Sequence, residues 1–96
     1  RARRSRPLMR IDRALWHLRL AKTRTLAQAL VATGHLRRNG ERVQRASLEV
    51  RPGDVLTLPA RHGVRVLEVL SLPAHRGPAE EARAELAHRL GAAAKQ

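Results

Sequence analysis

The 96-residue chain predicts an α+β fold: two N-terminal helices packed on a small, mostly antiparallel sheet, with a short C-terminal helix. Three observations carry that prediction. Two apolar stripes recur at helical period before residue 34. An Asn-Gly pair sits between short extended runs, and two β-type runs follow it. An Ala- and Glu-rich stretch then returns to a spacing of four near the end.

Ile11, Leu15, Leu18 and Leu20 form the first stripe, with Arg13, His17 and Arg19 off it. Asp12 stands where a carboxylate caps free amides and complements the helix dipole, which places helix one at residues 12–20. Thr23 is the N-cap of a second helix, 24–33, in which Leu26, Ala27, Leu30 and Val31 repeat. Gly34 supplies its left-handed stop. Asn39-Gly40 is a two-residue hairpin loop, because both residues accept positive φ. Arg51-Pro52-Gly53-Asp54 makes a second turn. Residues 55–58 read as a strand ended by Pro59, and alternation over 63–70 gives another. Beyond Pro73 and Gly77-Pro78, the spacing of Ala82, Leu86 and Leu90 predicts a last helix over 79–90. The resulting organisation is a flexible basic arm at 1–9, a binding domain at 10–72, and a C-terminal loop and helix at 73–96.

Charge points to the partner. The formal net charge is +12, and it is lopsided: residues 1–50 carry 13 Lys or Arg against 3 Asp or Glu, residues 51–96 carry 7 against 5. Such concentration marks a binding face for a polyanion, where a uniformly basic surface would divide the excess evenly. Trp16 is the one aromatic residue. A sheet of stacked aromatics is therefore excluded as the means of holding bases, which leaves backbone electrostatics and groove shape. The absence of cysteine excludes disulfides and thiolate metal sites. No apolar run approaches the roughly 20 residues of a membrane span, and a soluble cytoplasmic protein is expected.

The candidate RNA-binding residues fall in two groups. Arg10, Arg13, His17, Arg19, Lys22, Thr23 and Arg24 bracket helix one and enter helix two, where Thr23, the free amides and Arg24 are placed to hold a phosphate. Arg37, Arg38, Asn39, Arg42 and Arg45 surround the hairpin loop, with Arg37 and Arg38 on opposite strand faces and Asn39 expected to serve the turn. Guanidiniums suit this work because each can give two parallel hydrogen bonds to one anionic group. Asp12 is read as structural, a cap or an arginine partner, and Trp16 as a core residue. The five histidines show no ligand spacing, so no metal and no cofactor are expected.

The ordered set Arg10-Ile11-Asp12, Lys22-Thr23-Arg24 with Ala27, Gly34-His35-Leu36, Arg38-Asn39-Gly40 and Pro52-Gly53-Asp54 resembles the S4-type RNA-binding module, the alpha-L motif. Leu15-Trp16-His17 and the later Arg76-Gly77-Pro78-Ala79 extend the likeness to the small ribosome-associated heat-shock proteins of about fifteen kilodaltons and their quality-control relatives. The resemblance implies binding to ribosomal RNA of the free large subunit, particularly one stalled with peptidyl-tRNA. Arg38 departs from the pattern, since relatives usually carry an apolar or aromatic residue there. Two other readings stand beside it: a general tRNA or structured-RNA binder, and an adaptor whose basic face meets an acidic protein. No catalytic residues are assigned, because no phosphate loop, Ser-His-Asp set or facing carboxylate pair is present. Neither a membrane nor a small-molecule substrate is expected, and the protein is expected to be a monomer.

Overall fold

Local chemistry sets the first half of the fold. The computed structural model describes residues 8–88. A two-residue strand, β1 (Met9–Arg10), leads directly into helix α1 (Ile11–His17). Met9, the last residue of the expected arm, is thus paired with Val50; residues 1–7 lie outside the described part. Helix α2 (Arg24–Ala32) begins at Thr23, whose hydroxyl accepts from the Leu26 amide at 3.0 Å, and ends before Gly34 at φ +81°.

Helix α1 is shorter than its apolar spacing predicts. Arg19 adopts φ 61°, its amide donates to the Trp16 carbonyl, and the Leu20 amide donates to the Leu15 carbonyl. This pair of bonds is the Schellman ending, with an arginine where glycine is the usual left-handed residue. The sequence offers no glycine at this position, which is why the stripe through Leu20 overran the true end.

The hairpin joins β2 (Arg37–Arg38) to β3 (Glu41–Arg42) through Asn39 at φ 52° and Gly40 at φ 86°, as a two-residue loop with twist-matching geometry demands. A short β4 (Glu49–Val50) pairs with β1. Strand β5 (Val55–Ala60) pairs with β2 on one side and, over its whole length, with β6 (Gly63–Val69) on the other. Pro59 lies inside β5, not after it. The Asn39 amide donates to the Val55 carbonyl, so by alternation Val55, Thr57 and Pro59 turn their backbone groups toward the β2 side. The β2 pairing reaches only to Thr57, and a missing N–H at Pro59 therefore faces an open edge.

The last helix is cut short in the same way. Helix α3 (Ala79–Ala84) gives way to strand β7 (Leu86–His88), which pairs with β6 to complete an antiparallel sheet in the order β3-β2-β5-β6-β7. Pairing with an available strand edge overrides local helix propensity here. The expected helical positions at 89 and 90 lie outside the described residues.

One core holds these layers together. Ile11, Leu15 and Leu18 of the α1 region and Ala27 and Val31 of α2 meet Leu36, Val43, Val50, Leu56, Leu58, Leu67 and Val69 from the sheet side. Truncating one of the fully buried leucines to alanine costs about 2–5 kcal/mol in such a setting. Trp16 does not join this core: it is half-buried, edge-on to His17, with the Arg76 guanidinium 5.8 Å from its ring centre. Among the described residues no helix is long and apolar enough to cross a membrane.

Candidate nucleic-acid interface

The pairing of α1 with α2 buries one carboxylate among basic groups. Asp12 has no exposed surface. Its Oδ1 accepts from Arg10 Nε at 3.1 Å and from the Arg13 amide at 2.7 Å. Its Oδ2 accepts from Arg10 Nη2 at 3.0 Å and Gln28 Nε2 at 3.0 Å, and lies 3.2 Å from Arg24 Nη2. Burial alone would raise the carboxyl's pKa; the bonds from Gln28, Arg10, Arg24 and the Arg13 amide outweigh it and hold the value at about 2. The carboxylate is therefore charged at any physiological pH. It grips Arg10 and Arg24 by their inner edges, and both side chains remain about half exposed, 50% and 41%. Two partly exposed guanidiniums are thus held together on one carboxylate, and paired guanidiniums suit a phosphate.

The other helical candidates divide. Arg13 and Lys22 are exposed beside this pair in sequence. Thr23 spends its hydroxyl oxygen on the α2 cap. His17 is 3% exposed, with Nδ1 donating to the Pro73 carbonyl at 3.2 Å and Nε2 accepting from Arg13 Nε at 3.3 Å. Burial lowers its pKa; the Pro73 bond opposes this, and the charges of Arg13, His75 and Arg24 reinforce it. The neutral ring so held orients Arg13 and docks the segment after Leu72, and neither nitrogen is left for a ligand. Arg19 lies at the far end of α1, its Nε donating to the Gly77 carbonyl at 2.7 Å.

The hairpin group is organised by a second aspartate. Asp54 accepts from Asn39 Nδ2 at 3.1 Å and from the Arg51 amide at 3.1 Å, and Asn39 Oδ1 accepts from the Val55 amide at 2.8 Å. Asn39 thereby ties one turn to the other. Arg38 turns inward to the Glu49 carbonyl at 2.9 Å, with Asp54 at 3.8 Å, so the departure at this position adds a cross-brace to the hairpin. Arg37 reaches the Gly40 carbonyl at 3.0 Å, and Arg42 covers Gly34, where a methyl group would sit 3.6 Å from its Cδ. Arg37, Arg42 and Arg45 are exposed. Gln28 was not visible from the sequence, and Arg76 only as part of a motif: each finds its partner, Asp12 or the Trp16 carbonyl at 3.0 Å, only through tertiary packing.

Residues 9–56 match the family model of the S4 domain. This chain belongs to the S4 domain family. Its relatives include the small ribosomal subunit protein uS4 of Pelotomaculum thermopropionicum, 36% identical over an 87-residue alignment that covers 81% of this chain and 42% of that protein. The uS4 of Thermosipho melanesiensis is 45% identical over 47 residues, 49% of this chain and 22% of that protein. The S4-domain chain thus spans less than half the length of these relatives. Its fold is also that of Heat Shock Protein 15 from Vibrio cholerae, solved as a trimer: the TM-score is 0.81 at 29% identity, covering 88% of this chain and 85% of that one. An S4 domain binds RNA, and the basic outer face of α1 and α2 belongs to a protein of that kind.

Proposed function

We propose that this S4-domain protein binds structured ribosomal RNA on the free large ribosomal subunit carrying stalled peptidyl-tRNA, as a cytoplasmic factor of ribosome rescue linked to heat shock. The observation that carries the RNA-binding part is the Asp12-centred frame, which presents Arg10 and Arg24 together. Arg13 and Lys22 extend that ledge, and Arg37, Arg42 and Arg45 supply the hairpin contact. For a basic face with no sheet of stacked aromatics, the natural target is A-form backbone read by shape and charge. The choice of large subunit is supported by the likeness to Heat Shock Protein 15 along most of both chains. The Asp12-centred frame draws its residues from one chain, which supports a monomeric binding unit.

Sedimentation with purified large subunits, small subunits and joined ribosomes, at low and moderate salt, tests this reading. Retention on free large subunits that survives moderate salt is the expected result. Retention on small subunits alone would instead favour a role like that of uS4. Equal binding everywhere, lost at moderate salt, would leave a general binder of structured RNA.

A further inference from the structure

A groove of about 300 Å³ opens on the molecule between the C-terminal end of α1, strand β6 and the α3–β7 segment. Leu18, Leu20, Ala79, Ala82 and Leu86 make its apolar lining, and Arg19, Arg65 and Arg83 stand around it. On α3, Ala79, Ala82 and Arg83 share one side while Glu80 and Glu81 fall off it, and Leu86 joins the wall from β7. No ion pair or hydrogen bond ties the guanidinium of Arg65 or Arg83 to another described residue. Arg19 is fixed through Nε on the Gly77 carbonyl, which leaves its two Nη groups for something else. It is also the residue that carries a left-handed backbone, φ 61°, a conformation kept in non-glycine residues where the surroundings require it.

We infer that this groove takes one unpaired nucleotide of the bound RNA, its base on the apolar floor and its flanking phosphates on Arg19, Arg65 and Arg83. The inference rests on the RNA-binding reading above and adds a second contact class to it. Charge complementarity demands an anion, and the apolar floor demands that the anion carry a flat apolar body. The volume lies at the small end of ligand pockets, enough for a base. Guanidinium planes also stack on base faces, replacing the aromatic platforms this chain lacks. Strand β6, helix α3 and strand β7 all lie beyond residue 56, outside the part matched by the S4 family model. The groove therefore joins Leu18, Arg19 and Leu20 of the matched part to the segment beyond it, and unpaired RNA is read apart from the Arg10–Arg24 ledge.

The test compares a blunt RNA hairpin with the same hairpin bearing a short unpaired uridine extension, by fluorescence anisotropy with the full chain. The extension is expected to tighten binding by about five- to tenfold, the low end for a base stacked without an aromatic partner. The double variant Arg65→Ala, Arg83→Ala should lose that gain and bind the blunt hairpin as before; both positions are exposed, so folding is not at risk. Arg24→Ala should weaken both RNAs in proportion and lower the salt slope by roughly one. No gain from the extension, or a gain that persists in the double variant, would overturn the groove assignment while the ledge stood. Loss of binding to both RNAs in the wild-type chain would overturn both. Displacement of the extension by a short poly-glutamate peptide at matched charge would reassign the groove to acidic protein segments and overturn its assignment to RNA.

Discussion

The helical ledge and the hairpin are each built around one buried aspartate, yet they use their arginines in opposite ways. Asp12 holds Arg10 and Arg24 while about half of each side chain stays exposed. Around Asp54 the strong contacts are to Asn39 and a backbone amide, and Arg38 is drawn inward onto the Glu49 carbonyl. One carboxylate presents charge; the other closes a turn. A count of arginines per segment cannot separate these cases, because availability depends on which edge of the guanidinium is already occupied.

The largest expected effect comes from Asp12→Asn. Removing a negative charge should strengthen binding to a polyanion if only net charge counted. With the frame broken, we expect RNA affinity to fall about tenfold or more and stability to drop by about 2–3 kcal/mol. The stability figure is discounted from the range for a fully buried pair because both arginines are partly exposed. Urea titration with an unchanged m value reads the second and anisotropy the first. A gain in affinity would erase the contrast between the two aspartates.

Acid titration sharpens the comparison next. The Asp12 carboxyl has a folded-state pKa of about 2 against 3.8 unfolded. Its contribution, about 2 kcal/mol, is thus complete above 3.8 and lost as pH falls toward 2. His17 is also depressed, from 6.5. The folded state holds its ring neutral, so that contribution is complete above 6.5 and erodes as pH falls below it. Stability measured against pH should therefore decline in two stages, and Asp12→Asn should remove the lower stage while leaving the upper one.

Asn39→Gly should have the smallest effect. Glycine keeps the positive φ but loses the bonds to Asp54 and the Val55 amide, costing about 1–2 kcal/mol. The affinity of the folded fraction should move less than for Asp12→Asn. A larger loss of affinity would mean that the Asp54 network, like the Asp12 frame, positions the arginines that meet RNA.

Much of this molecule is legible where a residue announces its own backbone. Thr23 and Gly34 bracket α2 as written, and Asn39-Gly40 specifies its loop type. Legibility ends where the decisive partner is distant in the chain. The stop of α1 is an arginine braced by Gly77, 58 residues away, and nothing local distinguishes it from a helical position. The segment from Leu86 is helical by composition and extended because β6 offers it an edge. Within the candidate site, the basic residues and the structural role of Asp12 could be read directly. The burial of His17 could not, since it depends on the Pro73 carbonyl 56 residues on.

The match to the S4 family model ends at residue 56, two residues into a six-residue strand. Leu56 is fully buried opposite Leu67, and Leu58, Leu67 and Val69 complete the core that α1 and α2 rest on. A chain severed at that boundary would keep every residue of the ledge and lose the floor beneath it. The span matched by the family model is therefore smaller than the unit that shares this core, and grafting that span into another protein would require carrying the β5–β6 ladder along with it.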